Sequence, residues 1–176
     1  MQDNYAEKQN AGPENPEGRM TLTPRNGTTI EDGEFRDRTD LKDVVIPYGV
    51  TSIGKEAFYG CSGLSSIEIP DSVTSIGKGA FYECKGLGSI ELPDSVASIG
   101  RRAFFECSGL TSIEISDSVT SIGRETFYGC KSLTTIELPD SVTSIGIDAF
   151  KGVWHIIYNG YEKSHDNWGA RRLTRD

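Results

Sequence analysis

Residues 50–72 read VTSIGKEAFYGCSGLSSIEIPDS, and this stretch decides the fold because versions of it recur along most of the chain. The same residue types return every 23 residues without insertion or deletion, as seen at Ile30, Ile53, Ile76, Ile99, Ile122, Ile145, Phe35, Phe58, Phe81, Phe104, Phe127 and Phe150. A fixed period of roughly 20–50 residues is typical of repeat proteins. A unit this short cannot bury its own apolar face, so we expect successive units to stack into a solenoid with equivalent side chains as neighbours.

The segment after the repeated leucine has the pattern of a strand with one buried face. Ile67 and Ile69 alternate around Glu68, and alternation with period two predicts a strand. Pro70 has no amide hydrogen and ends the ladder. The Val-Thr-Ser-Ile segment predicts a second, shorter strand, and residues 55–59 predict one helical turn. The repeated glycine between these segments is expected to mark a corner, where a residue without Cβ turns most easily.

The predicted core contains a column of phenylalanines and a column of cysteines, namely Phe58, Phe81, Phe104, Phe127, Cys61, Cys84, Cys107 and Cys130. Parallel strands lie ~4.8 Å apart, which would bring the cysteines close enough for disulfides, but parallel side chains give an unfavourable disulfide torsion. A metal needs ligands that converge on one point, which a column does not provide. We predict buried thiols that act as small apolar side chains, with disulfides or a metal site as the alternatives.

The outward positions of the predicted strands carry the candidate binding residues. Four glutamates form one column and four hydroxyl residues form a second column beside it: Glu68, Glu91, Glu114, Glu137, Ser66, Ser89, Ser112 and Thr135. Adjacent carboxylates ~5 Å apart repel by about 1 kcal/mol even in water, so the row is a candidate site for a basic partner or a divalent cation. The alternative is a solvated face that prevents unwanted strand pairing.

Other repeated positions give weaker signals. One repeated position carries a basic column made of Lys55, Lys78, Arg101 and Arg124. Another carries an aromatic column made of Tyr59, Tyr82, Phe105 and Tyr128. For the aromatic column, partly buried packing is favoured over a role in stacking on a ligand. The Ser-x-x-Lys spacing at Ser52 resembles an acyl-transfer motif, but its recurrence along the repeats indicates solvated positions. For His155 and His165, packing in a terminal cap or exposure at the surface is favoured over metal binding. We therefore predict no enzyme, no catalytic residue, no metal and no cofactor.

Composition narrows the class of protein. The 176 residues include 26 acidic and 18 basic side chains, for a formal net charge of -8. This balance argues against nucleic-acid binding, because nucleic-acid-binding proteins present a basic face. No apolar run approaches the roughly 18 residues that span a bilayer, so membrane insertion is not expected. No signal peptide is recognised in this chain, and we expect a monomer whose partner is another protein.

The repeat resembles the leucine-rich repeat of the BspA-like, or Treponema pallidum, type through the pattern Leu64-x-x-Ile67-x-Ile69-Pro70-x-x-Val73-x-x-Ile76-Gly77-x-x-Ala80-Phe81-x-x-Cys84. The resemblance covers residues 30 to about 158. It implies an α/β repeat solenoid, a right-handed superhelix with a parallel concave sheet and short helical turns or irregular structure on the convex side. It also implies a bacterial cell-surface or secreted protein that binds host or matrix proteins, as an adhesin does.

Three segments are expected along the chain. Residues 1–29 are predicted to be disordered or tag-derived, residues 30–150 form the solenoid of six 23-residue units with a degenerate first unit, and residues 151–176 form a C-terminal cap. We predict that the protein is a non-catalytic protein–protein interaction module. The resemblance implies that it lies at the cell surface or is secreted. The alternatives are a surface protein that binds a glycan or a divalent cation, and an intracellular scaffold.

Overall fold

The structure is a computed structural model that describes residues 11–14, 16, 18–158 and 172–174. In these ranges the chain forms strands and turns and no helix, so no helix in them could cross a membrane. The strands are β1 (Ala11–Glu14), β2 (Met20–Leu22), β3 (Thr29–Ile30), β4 (Asp43–Val45), β5 (Ser52–Ile53), β6 (Ser66–Glu68), β7 (Ser75–Ile76), β8 (Ser89–Glu91), β9 (Ser98–Ile99), β10 (Ser112–Glu114), β11 (Ser121–Ile122), β12 (Thr135–Leu138), β13 (Ser144–Ile145), β14 (His155–Tyr158) and β15 (Arg172–Thr174). The repeat solenoid is confirmed, as a β-solenoid of about six turns.

The two-residue strands form one continuous ladder, which we call the back sheet. Its order is β13-β11-β9-β7-β5-β3, and neighbouring strands run parallel. Equivalent residues pair across each step, so that Ser52 lies beside Ser75 and Ile53 beside Ile76. The predicted in-register stacking of 23-residue units is therefore confirmed.

The longer strands, which we call the front strands, lie along another face of the same coils. They form three separate ladders, β1-β2-β4-β6, β8-β10 and β12-β14-β15. All of these pairs are parallel except β1 with β2. The ladder is interrupted between β6 and β8 and between β10 and β12, although both strand pairs remain in contact.

The predicted helical turn at residues 55–59 is wrong. The N–H of Glu56 donates to the Lys78 carbonyl of the next coil at 2.9 Å. The N–H of Phe58 donates to the carbonyl of Ala80 at 2.7 Å. The alternate amides, those of Ala57 and Tyr59, bond within their own coil. An α-helix would need every amide to bond four residues back, so this segment forms a third ladder between coils instead.

Backbone conformation also prevents a helix in this turn. Glu56 and Gly60 have φ values of 56° and 70°, and a left-handed residue cannot continue a right-handed helix. The same two positions have positive φ in the other coils, at Gly33, Asp37, Gly79, Glu83, Arg102, Glu106, Glu125, Gly129, Asp148 and Gly152. The α/β class expected from the sequence is therefore replaced by an all-β coil with stacked turns.

The repeated glycine after each back strand allows neighbouring backbones to approach closely. A Cβ added to Gly77 would lie 2.7 Å from the carbonyl carbon of Gly54, which is closer than real contacts allow. Neither Gly54 nor Gly77 has a left-handed φ. The close approach of neighbouring backbones therefore explains the need for glycine at this position better than the predicted ease of turning does. Glu31 occupies the equivalent position in the first coil, where the back sheet ends at β3 and no earlier back strand of the described residues lies alongside.

The core is a stack of identical layers. Six phenylalanine rings form a single column with centroids 5.3 to 5.5 Å apart and nearly parallel planes, from Phe35 through Phe58, Phe81, Phe104 and Phe127 to Phe150. All of them are fully buried. Burial of such a large side chain contributes about 1.5–3 kcal/mol, so each coil is stabilised mainly by its neighbours.

In the first coil, side-chain oxygens accept the backbone hydrogen bonds that a preceding coil would otherwise accept. In later coils the amides at this edge donate to carbonyls of the preceding coil. At the end of the back sheet, Asn26 Oδ1 accepts the N–H of Thr28 and of Thr29 at 3.1 and 2.7 Å. Glu34 accepts the N–H of Glu31 at 2.9 Å. The degenerate first unit therefore caps the back sheet, which protects an otherwise open strand edge.

The predicted segment boundaries remain predictions. Residues 1–10, 15 and 17 lie outside the described part of the chain, whereas β1 and β2 fall within the segment 1–29. At the other end, β14 continues the stack by pairing with β12. Residues 159–171, 175 and 176 lie outside the described part, and they include His165 and most of the predicted cap.

Candidate functional site

The predicted binding residues lie together on one surface. Each of β6, β8, β10 and β12 has an isoleucine that packs on or in the core, buried in three strands and half-buried at Ile113. The residues on either side of that isoleucine therefore point outward. Where two of these strands pair, the register places Ser89 beside Ser112 and Glu91 beside Glu114. We call this surface the acidic face and define it by Ser66, Ser89, Ser112, Thr135, Glu68, Glu91, Glu114 and Glu137.

The glutamates of the acidic face are solvent-exposed, and three of the four pair with no cation of the described residues. Glu91, Glu114 and Glu137 form no ion pair within the parts of the chain that the structure describes. Like charges one coil apart repel by about 1 kcal/mol at the dielectric constant of water. A partner that brings positive charge would relieve this repulsion.

Glu68 differs from the other three because the chain supplies its cation. The Nη1 of Arg19, the residue before β2, donates to Glu68 Oε2 at 2.5 Å. The two residues are 49 positions apart in the sequence and belong to no common repeat position. The pair shows that a guanidinium can reach this surface and bind a glutamate of the column.

Two grooves lie on the acidic face. The larger has a volume of about 740 Å³ and is lined by the carboxylate residues Glu91, Glu114 and Glu137, by hydroxyl residues and by apolar residues that include Ile115 and Leu138. The smaller, of about 470 Å³, is lined by Arg19, Glu68 and Glu91 among others. We call the larger one the acidic groove. The two grooves coincide with the two interruptions of the front ladder.

A second acidic column escaped the sequence analysis. Four aspartates follow the strands at the repeat interval and are all exposed: Asp71, Asp94, Asp117 and Asp140. Asp117 lines the acidic groove and Asp71 lines the smaller one. The signal was present in the Asp-Ser pair that follows each front strand, with the same spacing as the glutamates.

Asp43 ends the column of hydroxyl residues at the N-terminal side. Its Oδ1 accepts hydrogen bonds from the hydroxyls of Ser65 and Ser66 at 2.8 and 2.9 Å. The hydrogen bond from Ser65, followed by that from Ser66, lowers the pKa of the Asp43 carboxyl group. Asp43 therefore stays ionised, which extends the negative charge of this surface by one coil.

The four cysteines of the core column are buried and form no disulfide with one another. Cys61, Cys84, Cys107 and Cys130 are free, and each Sγ donates to the carbonyl of a phenylalanine in the preceding coil at 2.9 to 3.1 Å. Burial raises the pKa of Cys61 and of Cys130 to about 12. Within the described ranges no group of three or more His, Cys, Asp or Glu residues could hold a metal.

The aromatic column has its ring faces covered. Tyr59, Tyr82, Phe105 and Tyr128 stack on one another with centroids 4.6 to 4.8 Å apart. The guanidinium of Arg36 lies 4.1 Å from the Tyr59 centroid at one end, and the Lys151 ammonium lies 5.4 Å from the Tyr128 centroid at the other. These cations occupy the same repeat position as the rings. The column is therefore a closed stack, and the alternative of a ligand-stacking platform is not supported.

The basic column lies on the stacked turns rather than on the acidic face. Lys55, Lys78, Arg101 and Arg124 are exposed. Arg124 contacts Glu125 at 3.1 Å, and Arg102 donates its Nε–H to the same carboxylate at 2.5 Å. His155 lies half-buried in β14.

Comparison with known proteins gives a family and a fold. A family model described as the BspA type leucine rich repeat region matches residues 28–157 in six copies. A solved structure of a T. pallidum leucine-rich-repeat protein is similar to this chain with a TM-score of 0.67 and 27% sequence identity, over 96% of this chain and 81% of that one.

A second solved structure is that of a leucine rich cell surface protein from Faecalibacterium prausnitzii. Its TM-score is 0.54 and its sequence identity is 25%, over 88% of this chain. The chain spans 59% of the length of that protein. A search of curated proteins gives no match.

Proposed function

This chain belongs to the family of BspA-type leucine-rich repeats, and on that premise we propose that it is a non-catalytic protein-interaction module whose acidic face binds a basic partner protein. The observation that carries the proposal is the exposed column of Glu91, Glu114 and Glu137, which has no ion pair within the described part of the chain. The carboxylates lie on a rigid stack, so they need little ordering when a partner binds.

The surroundings of the column support a protein partner. The acidic groove combines carboxylates and hydroxyls with the half-buried apolar side chain of Ile113. Lys and Arg side chains match such a surface because their alkyl stems pack on apolar groups while their charged ends remain hydrated. The cation and glycan alternatives have less support, because no group of three or more His, Cys, Asp or Glu among the described residues could hold a metal and the ring faces of the aromatic column are covered.

We further propose that the protein acts at the cell surface or after secretion. The F. prausnitzii protein that it resembles is described as a cell surface protein. The partner would then be an extracellular protein with an exposed basic segment, and matrix proteins are the first class to test. The protein would act as a monomer that presents one acidic face.

A solid-phase binding assay tests this function. The protein is titrated over immobilised matrix proteins, and the wild type is compared with the double variant Glu91→Gln, Glu114→Gln. Each exposed ion pair contributes about 0.2–1 kcal/mol, so loss of two should weaken binding by roughly twofold to thirtyfold. Binding should also weaken as salt is added, because salt screens exposed charges.

The matched control removes two charges elsewhere on the molecule. Glu83 and Glu106 are one repeat apart, as Glu91 and Glu114 are, but they lie on the stacked turns. The variant Glu83→Gln, Glu106→Gln has the same net charge as the test variant and should bind like the wild type. Absence of saturable binding, or equal losses for the two variants, would reject the acidic face as the binding surface.

A further inference from the structure

The cap of the back sheet depends on one asparagine that is followed by a glycine. Asn26 lies in the exposed turn before β3, and its Oδ1 accepts the N–H groups of Thr28 and Thr29 at 3.1 and 2.7 Å. Its Nδ2 donates to the hydroxyl of Thr29. In the next coil the corresponding acceptor is a peptide carbonyl, because the N–H of Thr51 donates to Thr28 O at 2.8 Å. The back sheet therefore ends on a side-chain amide, which is chemically less stable than a peptide group.

The residue that follows Asn26 favours loss of this amide. The reaction begins when the backbone nitrogen of the following residue attacks the side-chain carbonyl carbon, and glycine has no Cβ that would hinder the approach. Gly27 lies in open space, because an added Cβ would meet no atom within 4 Å. Asn26 and Gly27 are both exposed, so water and base can reach them. Of the two Asn-Gly pairs in the sequence, this one lies among the described residues and Asn159–Gly160 does not.

The reaction needs water as its one co-reactant. The Gly27 nitrogen gives up its proton and forms a bond to Cγ of Asn26, while the Cγ–Nδ2 bond breaks and Nδ2 leaves with a proton as ammonia. The product is a five-membered succinimide, which water opens at either of its two carbonyl carbons. One opening gives aspartate. The other gives isoaspartate, in which the main chain runs through Cβ and Cγ and is one methylene longer.

The native contacts oppose the first step. The N–H of Gly27 donates to the carbonyl of Pro24 at 3.2 Å, and the two backbone donors hold the Asn26 Oδ1 in place. The attack requires the Gly27 nitrogen to release its hydrogen bond and the Asn26 side chain to rotate towards it. Both changes occur when the first coil opens, and the terminal units of a stack open at a lower free energy than its centre does.

We propose that Asn26–Gly27 is a site of spontaneous deamidation, that opening of the first coil gates the reaction, and that conversion to isoaspartate removes the cap of the back sheet. The longer main chain of isoaspartate moves the carboxylate out of reach of the two threonine amides, which leaves an open strand edge at β3. The new charge also lies near Glu31, whose Oε1 is 3.5 Å from the Asn26 Nδ2. The inference is independent of the proposed function of the acidic face.

Two glycine variants separate opening of the first coil from a general loss of stability. Gly54→Ala crowds the step between the first two coils, because the added Cβ would lie 2.8 Å from the backbone nitrogen of Asp32. Gly123→Ala crowds a distant step in the same way, with its Cβ 2.5 Å from the backbone nitrogen of Arg101. Overpacking of this kind should raise the open population of the affected step by about fivefold or more.

Peptide mapping by mass spectrometry follows the conversion of Asn26 in the full chain during incubation at mildly alkaline pH, and it separates this site from Asn159. We expect conversion in the native wild type to be at least about tenfold slower than in denaturant. Gly54→Ala should convert about fivefold faster than the wild type or more, and Gly123→Ala should convert at the wild-type rate. In the converted protein, the amides of Thr28 and Thr29 should lose their protection from hydrogen exchange.

Other results would overturn the inference. Absence of conversion in denaturant would reject the site, and equal rates in native and denatured protein would reject the gate. Equal acceleration by the two glycine variants would also reject the gate. If Gly54→Ala does not fold, urea below the unfolding transition of the wild type replaces it, and a rate that does not rise with urea counts against gating. Protection of Thr28 and Thr29 that survives conversion would reject the loss of the cap.

Discussion

At the scale of single residues, neighbouring coils determine which side chain is accepted. The cysteines illustrate this, because each thiol has a carbonyl of the preceding coil as its acceptor and no route to solvent. In the last coil Val153 takes the cysteine position and is equally buried. The requirement is therefore for a small apolar side chain, which the thiol satisfies while also donating a weak hydrogen bond.

Thiol labelling tests this burial. Burial raises the pKa of Cys61 and Cys130 to about 12 and raises those of Cys84 and Cys107, so almost no thiolate is present at pH 8. The native protein should not react with a thiol reagent, and all four cysteines should react once denaturant unfolds it. Rapid labelling of the native protein, or recovery of a disulfide, would contradict the cysteine assignment.

Glycine provides a second prediction at this scale. Gly77→Ala places a Cβ against the backbone of the preceding coil, and such overpacking costs about 1–3 kcal/mol. Gly88→Ala is the control, because its nearest neighbour would be the Ser65 carbonyl oxygen at 3.8 Å and equivalent positions already hold serine or threonine. Urea denaturation should show a clear loss of stability for Gly77→Ala and almost none for Gly88→Ala. Similar losses would refute the close-approach explanation.

At the scale of elements, each turn bonds to the next coil instead of forming a helix. The sequence of residues 55–59 is compatible with a helical turn when one unit is considered alone. The decisive acceptors, such as the Lys78 carbonyl, belong to the following coil, so a local pattern cannot reveal them. The front strands were easier to predict because alternation and the terminal proline are visible within one unit.

Ion pairs between turns add a pH-dependent contribution to stability. Glu125 accepts a hydrogen bond from Arg102 of the preceding coil, which together with Arg124 lowers the Glu125 pKa below its ordinary value of 4.5. A lowered pKa in the folded state means that the carboxylate stabilises the fold above pH 4.5 and that this contribution disappears as the pH falls through the lower, folded-state pKa.

The variant Glu125→Gln makes this contribution measurable. Thermal unfolding should show a lower melting temperature for the variant at pH 7, by an amount equivalent to about 1–2 kcal/mol. The difference should shrink below pH 4.5 and vanish in more acidic solution. Gln has nearly the same shape as Glu but carries no charge. A difference in melting temperature that is independent of pH would therefore show that the ion pair is not responsible.

At the scale of the whole molecule, stability comes from contacts between neighbouring coils. The phenylalanine column passes through six positions without a break, and each coil meets only the coils beside it. The period of 23 residues was enough to predict this stack and the glutamate column. It was not enough to predict the Arg19–Glu68 pair, because Arg19 lies outside the repeat register.

Deletion of one repeat tests the independence of the coils. Removal of residues 74–96, one 23-residue period, joins Val73 to Ala97 and keeps every column in register. We expect a folded protein of reduced stability with the same circular dichroism spectrum, because one interface between neighbours has been lost. Removal of residues 74–85 shifts the register and should prevent folding. A full-period deletion that fails to fold would contradict nearest-neighbour stacking.

The most direct test of the account is to remove the glutamates of the acidic face one at a time. Binding to an immobilised matrix protein is measured for Glu91→Gln, Glu114→Gln, Glu137→Gln and their combinations. If identical side chains on stacked coils each contribute one contact, the three single changes should weaken binding by similar factors and the combinations should multiply those factors. A single glutamate that carries all of the affinity, or variants that bind like the wild type, would contradict the account.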